Sequence, residues 1–130
     1  MTNRDIYISA LRLIGEDPYT DTNPDYEERA PYLLAAFCSE AASVDAAYRE
    51  MKGLENAESF DTTYLSLDGD FPFADRLTST ASMYLAAMLV IDENLELSDK
   101  LFDKYCDSMA TIQSEIPSKI EKIVQKYSNF

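Results

Sequence analysis

A chain of 130 residues, 46% apolar and 27% charged, has the size of one globular domain, can bury a sizeable core and is too apolar to stay disordered. Its formal net charge of −13 argues against nucleic acid as a direct ligand, because affinity for phosphates comes mainly from Lys and Arg. The sequence contains no histidine, which removes Ser-His-Asp and Cys-His nucleophile pairs, histidine metal ligands and the usual general base at neutral pH.

With only 3 Gly and 5 Pro, the chain favours long helices over many short strands. The first is predicted from about Asn3 to Ile14, with Asn3 as its cap and Asp5 near the positive end of the dipole. Ile6, Tyr7, Ala10, Leu11 and Ile14 recur at helical spacing and form one face. Gly15 suits the left-handed residue that closes a helix, and Pro18 keeps the helix from resuming. Met1–Asp5 lacks the apolar core of a signal peptide.

After the polar residues 16–23, Asn23 and Pro24 read as cap and first-turn proline. Tyr26, Ala30, Leu33, Leu34, Phe37, Ala41, Val44, Tyr48 and Met51 then continue at helical spacing. Pro31 removes a backbone donor, so helical structure over 24–52 is expected to kink or divide in two there before Gly53 ends it. Cys38 and Cys106 lie in helical apolar surroundings and read as free, buried thiols of a reducing compartment.

Residues 54–70 are the least regular part. Thr62–Leu67 leans towards β, and a single short strand has no partner in its own chain. The segment is therefore either an extended loop or an edge that pairs with another chain. Asp68-Gly69-Asp70 is a turn signal.

The stretch Ala81–Ile91 is apolar or aromatic at every position but Ser82. It is rich in strong helix formers, and a helix apolar on all sides has to be enclosed by other elements. At that length it falls short of the ~20 residues needed to span a bilayer. It is predicted as the central helix, about 73–92, of a soluble bundle. Ser98 is expected to cap a following helix, with Leu97 and Phe102 as a hydrophobic staple. The short link makes the pair an antiparallel hairpin over 71–116.

The final residues, 117–130, open on a capping box from Ser118 to Glu121 and are predicted as a short helix. Ile116, Ile120, Ile123, Val124 and Tyr127 give it an apolar stripe, and Lys119, Lys122 and Lys126 a basic one. Residues 1–70 carry −10, residues 71–117 carry −5 and the last 13 carry +2. Such a segment either docks on the acidic face of a neighbouring copy or packs back on its own bundle.

The fold class expected is therefore all-α: a single domain, 1–130, of four to five helices around a central apolar helix, with an extended segment at about 54–70. Candidate chemistry is sparse. The acidic pairs Glu16/Asp17, Glu27/Glu28 and Asp92/Glu93 do not share helix faces and read as solvated charge. No Gly-rich phosphate loop, CxxC pair or calcium-loop spacing occurs. Neither catalytic, metal nor cofactor-binding residues are expected. Nine tyrosines include Tyr7, Tyr26, Tyr48, Tyr84 and Tyr105 on core faces, and Tyr19, Tyr32 and Tyr64 off them, where exposed tyrosine suits protein contact or ordinary surface scatter.

Two stretches carry a resemblance. One is Ala10-Leu11-Arg12-Leu13-Ile14-Gly15-Glu16. The other is Phe71-Pro72, then Tyr84-Leu85-Ala86-Ala87-Met88-Leu89, an acidic break, and Leu101-Phe102-Asp103-Lys104-Tyr105. Together they resemble the small helical head–tail connector (adaptor) proteins of tailed bacteriophages and prophages, over about half the chain. The resemblance implies a non-enzymatic virion subunit forming a ring between portal and tail. Its partners would be copies of itself, portal and tail components, with no specific nucleic-acid binding and no membrane. It would reside in the bacterial host cytoplasm during assembly and then in the virion. The long polar 54–70 segment and the basic C-terminal segment depart from that pattern. An acidic lining would let DNA pass without sticking. The candidate interface residues are Tyr64, Leu65 and Leu67 in the extended segment and Lys119, Lys122, Lys126 and Tyr127 at the end. The alternative is an acidic regulatory module that mimics DNA and inhibits a nucleic-acid-binding protein.

Overall fold

The computed structural model describes residues 1–20 and 23–117. Among them the chain forms four α-helices, Asn3–Leu13 (α1), Pro24–Lys52 (α2), Thr78–Val90 (α3) and Leu95–Glu115 (α4), with a 3-10 turn at Asp75–Leu77 before α3. There is no β-strand among the described residues, only an isolated antiparallel bridge between Thr2 and Asp70. The architecture is an all-α bundle.

α3 is its axis. α1, α2 and α4 each pack against it, and Ala81, Leu85, Ala86, Ala87 and Leu89 are completely buried. The alanines let neighbouring backbones approach closely, while Leu85 and Leu89 fill the space between them. Three hydroxyls in this apolar setting are satisfied locally. Ser82 Oγ donates to the Thr78 carbonyl at 3.0 Å, Thr80 Oγ1 and Ser108 Oγ lie 2.6 Å apart, and Ser98 Oγ donates to the Ala87 carbonyl at 2.8 Å. The last two tie α3 to α4 across the hairpin.

Several boundaries differ from expectation. α3 begins at Thr78 rather than near 73, because Phe71 and Phe73 are used as core side chains on non-helical backbone and Asp75–Leu77 winds as 3-10. α4 begins at Leu95: Asn94, not Ser98, caps it, accepting from the Leu97 N–H at 3.0 Å. Ser98 is buried one turn inside. Cys106 is exposed, whereas Cys38 is buried as expected.

α2 is one continuous helix from Pro24 to Lys52 despite Pro31. Tyr26, Ala30, Leu34 and Phe37 on either side of the proline are almost completely buried, and that packing outweighs one missing backbone bond. Asn23 caps it by accepting from Tyr26 N–H at 3.1 Å. Gly53, at φ 70°, closes it in the left-handed conformation, with the Leu54 N–H reaching back to the Arg49 carbonyl.

The cap of α1 is Thr2 rather than Asn3. Thr2 Oγ1 accepts from the Asp5 N–H, and Asp5 Oδ2 accepts from the Thr2 N–H at 2.9 Å, a complete capping box. Asn3 is turned inward and buried, and its Nδ2 donates to the Ser66 carbonyl at 2.9 Å.

Residues 54–74 form a strap that holds the bundle together. The strap runs back along α2, where the Leu65 N–H donates to the Pro31 carbonyl at 3.1 Å, and then crosses the start of α1. There the Asn3 N–H donates to the Gly69 carbonyl at 2.9 Å, the Arg4 N–H to the Leu67 carbonyl at 2.8 Å, and the Phe71 N–H to the Met1 carbonyl at 2.9 Å. The N–H groups that a helix start leaves without intrahelical partners are thus taken up by Thr2 and by the strap. Within its own chain the segment is an extended loop whose backbone bonds to α1 and α2.

Candidate contact surfaces

Polar side chains that might suggest chemistry are spent on holding the strap. Asp45 on α2 is almost completely buried. One of its oxygens accepts from Arg49 Nε at 2.9 Å and the other from the Ala74 N–H at 2.8 Å. Arg49 then donates from its two remaining nitrogens to the Glu55 carbonyl at 2.9 Å and the Pro72 carbonyl at 3.3 Å. One ion pair therefore anchors both ends of the strap to α2. The acid–base spacing of four residues was the available signal for it, but helical surfaces carry many such pairs.

Two further polar contacts close the bundle's other end. Tyr26 Oη donates to Glu93 Oε2 at 2.6 Å, joining the start of α2 to the turn after α3. Burial and that carboxylate together push the Tyr26 hydroxyl well above the ordinary tyrosine range. Arg29 donates to the Met88 carbonyl at 3.0 Å. The Cys38 thiol is pushed up to about 12, chiefly by burial and further by the charge of Asp45, so it behaves as a core hydrophobe.

Among the described residues no group of three or more Cys, Asp or Glu side chains is placed to hold a metal ion, and no helix is long and apolar enough to cross a membrane. A hollow of about 270 Å³ between α1 and α3 is lined by Met1, Ser9, Leu13, Thr78, Ser79, Ser82 and Met83. It lies below the usual size of small-molecule pockets, and no charged side chain points into it.

The candidate interface residues divide three ways. Leu65 and Leu67 are buried in their own core, so their side chains are not presented to a neighbour. The backbone between them is bonded to α1 and α2. Tyr64 is 43% exposed and meets Tyr32, itself 58% exposed, edge to face at 5.1 Å between ring centroids. Lys119, Lys122, Lys126 and Tyr127 lie outside the described residues.

A feature missed in the sequence is the outer side of α4. Its core face is Leu101, Tyr105 and Ile112. An aromatic series runs from buried Phe37 through Tyr84 and Tyr105 to Phe102, where it emerges at 38% exposure. Leu95, 61% exposed, and Cys106, also exposed, continue an apolar arc beside Phe102. Next around the helix stand Glu96, Asp99, Asp103 and Asp107, all exposed. The signal was present in the sequence as apolar residues exceeding one core face of the helix.

Comparison of the chain with known protein families, with characterised proteins and with solved structures yields no match.

Proposed function

We propose that the chain is a structural subunit of a phage or prophage virion, a head–tail connector that oligomerises into a ring between portal and tail. The observation that carries this reading is the division of labour among side chains. Asp45, the part-buried Arg49, the Asn3 amide nitrogen and the Tyr26 hydroxyl are engaged in internal bonds. What the fold presents outward is contact chemistry: the Tyr32–Tyr64 pair and the apolar arc of Leu95, Phe102 and Cys106. Aromatic and apolar side chains at the surface favour protein–protein contact.

The charge supports the same reading. A net charge of −13 gives a subunit that repels phosphates, which suits a passage through which a genome slides. The proposed role involves no chemical transformation, no cofactor and no sequence-specific contact with DNA.

The test is native mass spectrometry of the full chain mixed with the portal protein encoded in the same genome. The reading expects a complex containing several copies of this chain on the portal ring. A chain that stays apart from portal and tail proteins, and instead binds a basic nuclease tightly, would establish the DNA-mimic alternative.

A further inference from the structure

The outer side of α4 has an asymmetry that selects its occupant. Viewed from its N-terminus, the helix shows the core face, then the exposed apolar arc of Leu95, Phe102 and Cys106, then the carboxylates Glu96, Asp99 and Asp103 further clockwise. A partner that fills this face needs an apolar stripe with cationic side chains on one flank.

Residues 118–130 have that pattern in their sequence. At helical spacing Ile120, Ile123 and Tyr127 share one arc, and Lys119, Lys122 and Lys126 flank it. The lysines are spaced three and then four residues apart, as are Glu96, Asp99 and Asp103. Side by side in the same direction, the two apolar arcs face each other and lysines and carboxylates fall on the same flank. In the opposite direction the lysines fall on the far flank, away from the carboxylates.

The direction decides which chain supplies the segment. Lys119 follows the end of α4 at Glu115 by four residues, which reach at most ~14 Å. Glu96 lies nineteen residues back along the helix, about 28 Å away at 1.5 Å per residue. A chain's own Lys119 therefore cannot meet its own Glu96.

We propose that α4 of one copy receives residues 118–130 of a second copy, running parallel to it, with Lys119, Lys122 and Lys126 against Glu96, Asp99 and Asp103. Each copy then offers one face and one segment. The contact is heterologous, so it propagates from copy to copy and closes into a ring or extends as a filament according to its rotation. The inference rests on the reading of the chain as an assembling subunit and names the surface through which it assembles.

The test uses the full-length chain in sedimentation equilibrium at low salt, with circular dichroism confirming the helical fold of each variant. The wild type is expected to gain mass with concentration, and to lose that gain at 1 M salt. Asp99→Lys with Asp103→Lys, and separately Lys119→Glu with Lys122→Glu, should each weaken association at least ~10-fold. In an equimolar mixture of the two variants, intact segment meets intact face at one contact and reversed segment meets reversed face at the next, so the chains should alternate and growth beyond two should return. All four changes in one chain should restore growth beyond two. Wild-type association that is indifferent to both reversals would overturn this docking arrangement while leaving the assembly reading intact. A wild type that stays monomeric at every concentration, alone and with portal protein, would overturn both.

Discussion

Asp45 holds Arg49 with one oxygen, at 2.9 Å, and the backbone N–H of Ala74 with the other, at 2.8 Å. The carboxylate is 99% buried at the side chain and the guanidinium is 17% exposed, so neither charge has water as a ready substitute. Removing the acid leaves the part-buried Arg49 without its counter-charge, though still bonded to the Glu55 and Pro72 carbonyls, and the Ala74 N–H without its acceptor. Asp45→Ala is expected to cost about 3 kcal/mol or more in urea unfolding. Asp45→Asn keeps an acceptor for Ala74 and should cost less, about 1–2 kcal/mol. Equal, negligible costs for both would mean that the strap is held by its buried apolar side chains and its bonds to α1, without the ion pair.

The start of α1 gives a second, independent test of the strap. Thr2→Ala removes the capping box and should cost about 1 kcal/mol. Asn3→Ala removes the bond to the Ser66 carbonyl and should cost about 1–2 kcal/mol. Both substitutions should speed amide exchange at Asn3 and Arg4, whose N–H groups end on strap carbonyls. Unchanged exchange there would argue that the strap and helix open separately.

Core and surface apolar side chains should respond differently. Leu85 is fully buried at the centre of α3, and Leu85→Ala is expected to cost about 2–5 kcal/mol. Phe102 is 38% exposed, and Phe102→Ser should cost well under that in the isolated chain, about 1 kcal/mol. The same Phe102→Ser change should weaken self-association, which a purely core role would not.

Stability should fall at both ends of the pH scale. Hydrogen bonds from Thr2 hold the Asp5 carboxyl below the usual Asp range, and the Arg76 guanidinium does the same for Glu115. Depressed carboxyls bind fewer protons folded than unfolded, so their contribution is present above the unfolded value of ~4 and is lost as pH drops below it. Burial raises Cys38 to about 12 and Tyr105 to about 12. Those groups keep their protons in the fold while the unfolded chain releases them, so stability is lost as pH climbs from ~9 towards 12. Between these limits the net charge of −13 opposes compaction, so added salt should raise the melting temperature at pH 7. Thermal melts across pH and salt check all three slopes.

The sequence made the periodic parts legible. Ala81–Ile91 marks the buried axis because no polar face interrupts it, and Gly15 and Gly53 mark helix ends because only glycine takes positive φ readily. What local patterns could not show was competition between neighbours. Thr2 and Asn3 are both good caps, and only the strap, bonding the Asn3 side chain inward, decides between them. Ser98 reads as a cap until the Ala87 carbonyl across the hairpin claims its hydroxyl. Pro31 reads as a break until the flanking side chains are seen buried. Residues 62–67 read as either a loop or a pairing edge because nothing local says that α1 and α2 already occupy backbone at Leu65 and Leu67.

On the proposed reading, the chain is a building block of a particle. Quantitative mass spectrometry of DNA-filled particles purified from a host that carries its gene tests this proposal most directly. The claim expects the chain in every preparation at a fixed ratio to portal protein, a ratio abolished by reversing Asp99 and Asp103. A chain confined to the cell extract, with particles complete and infectious without it, would contradict it.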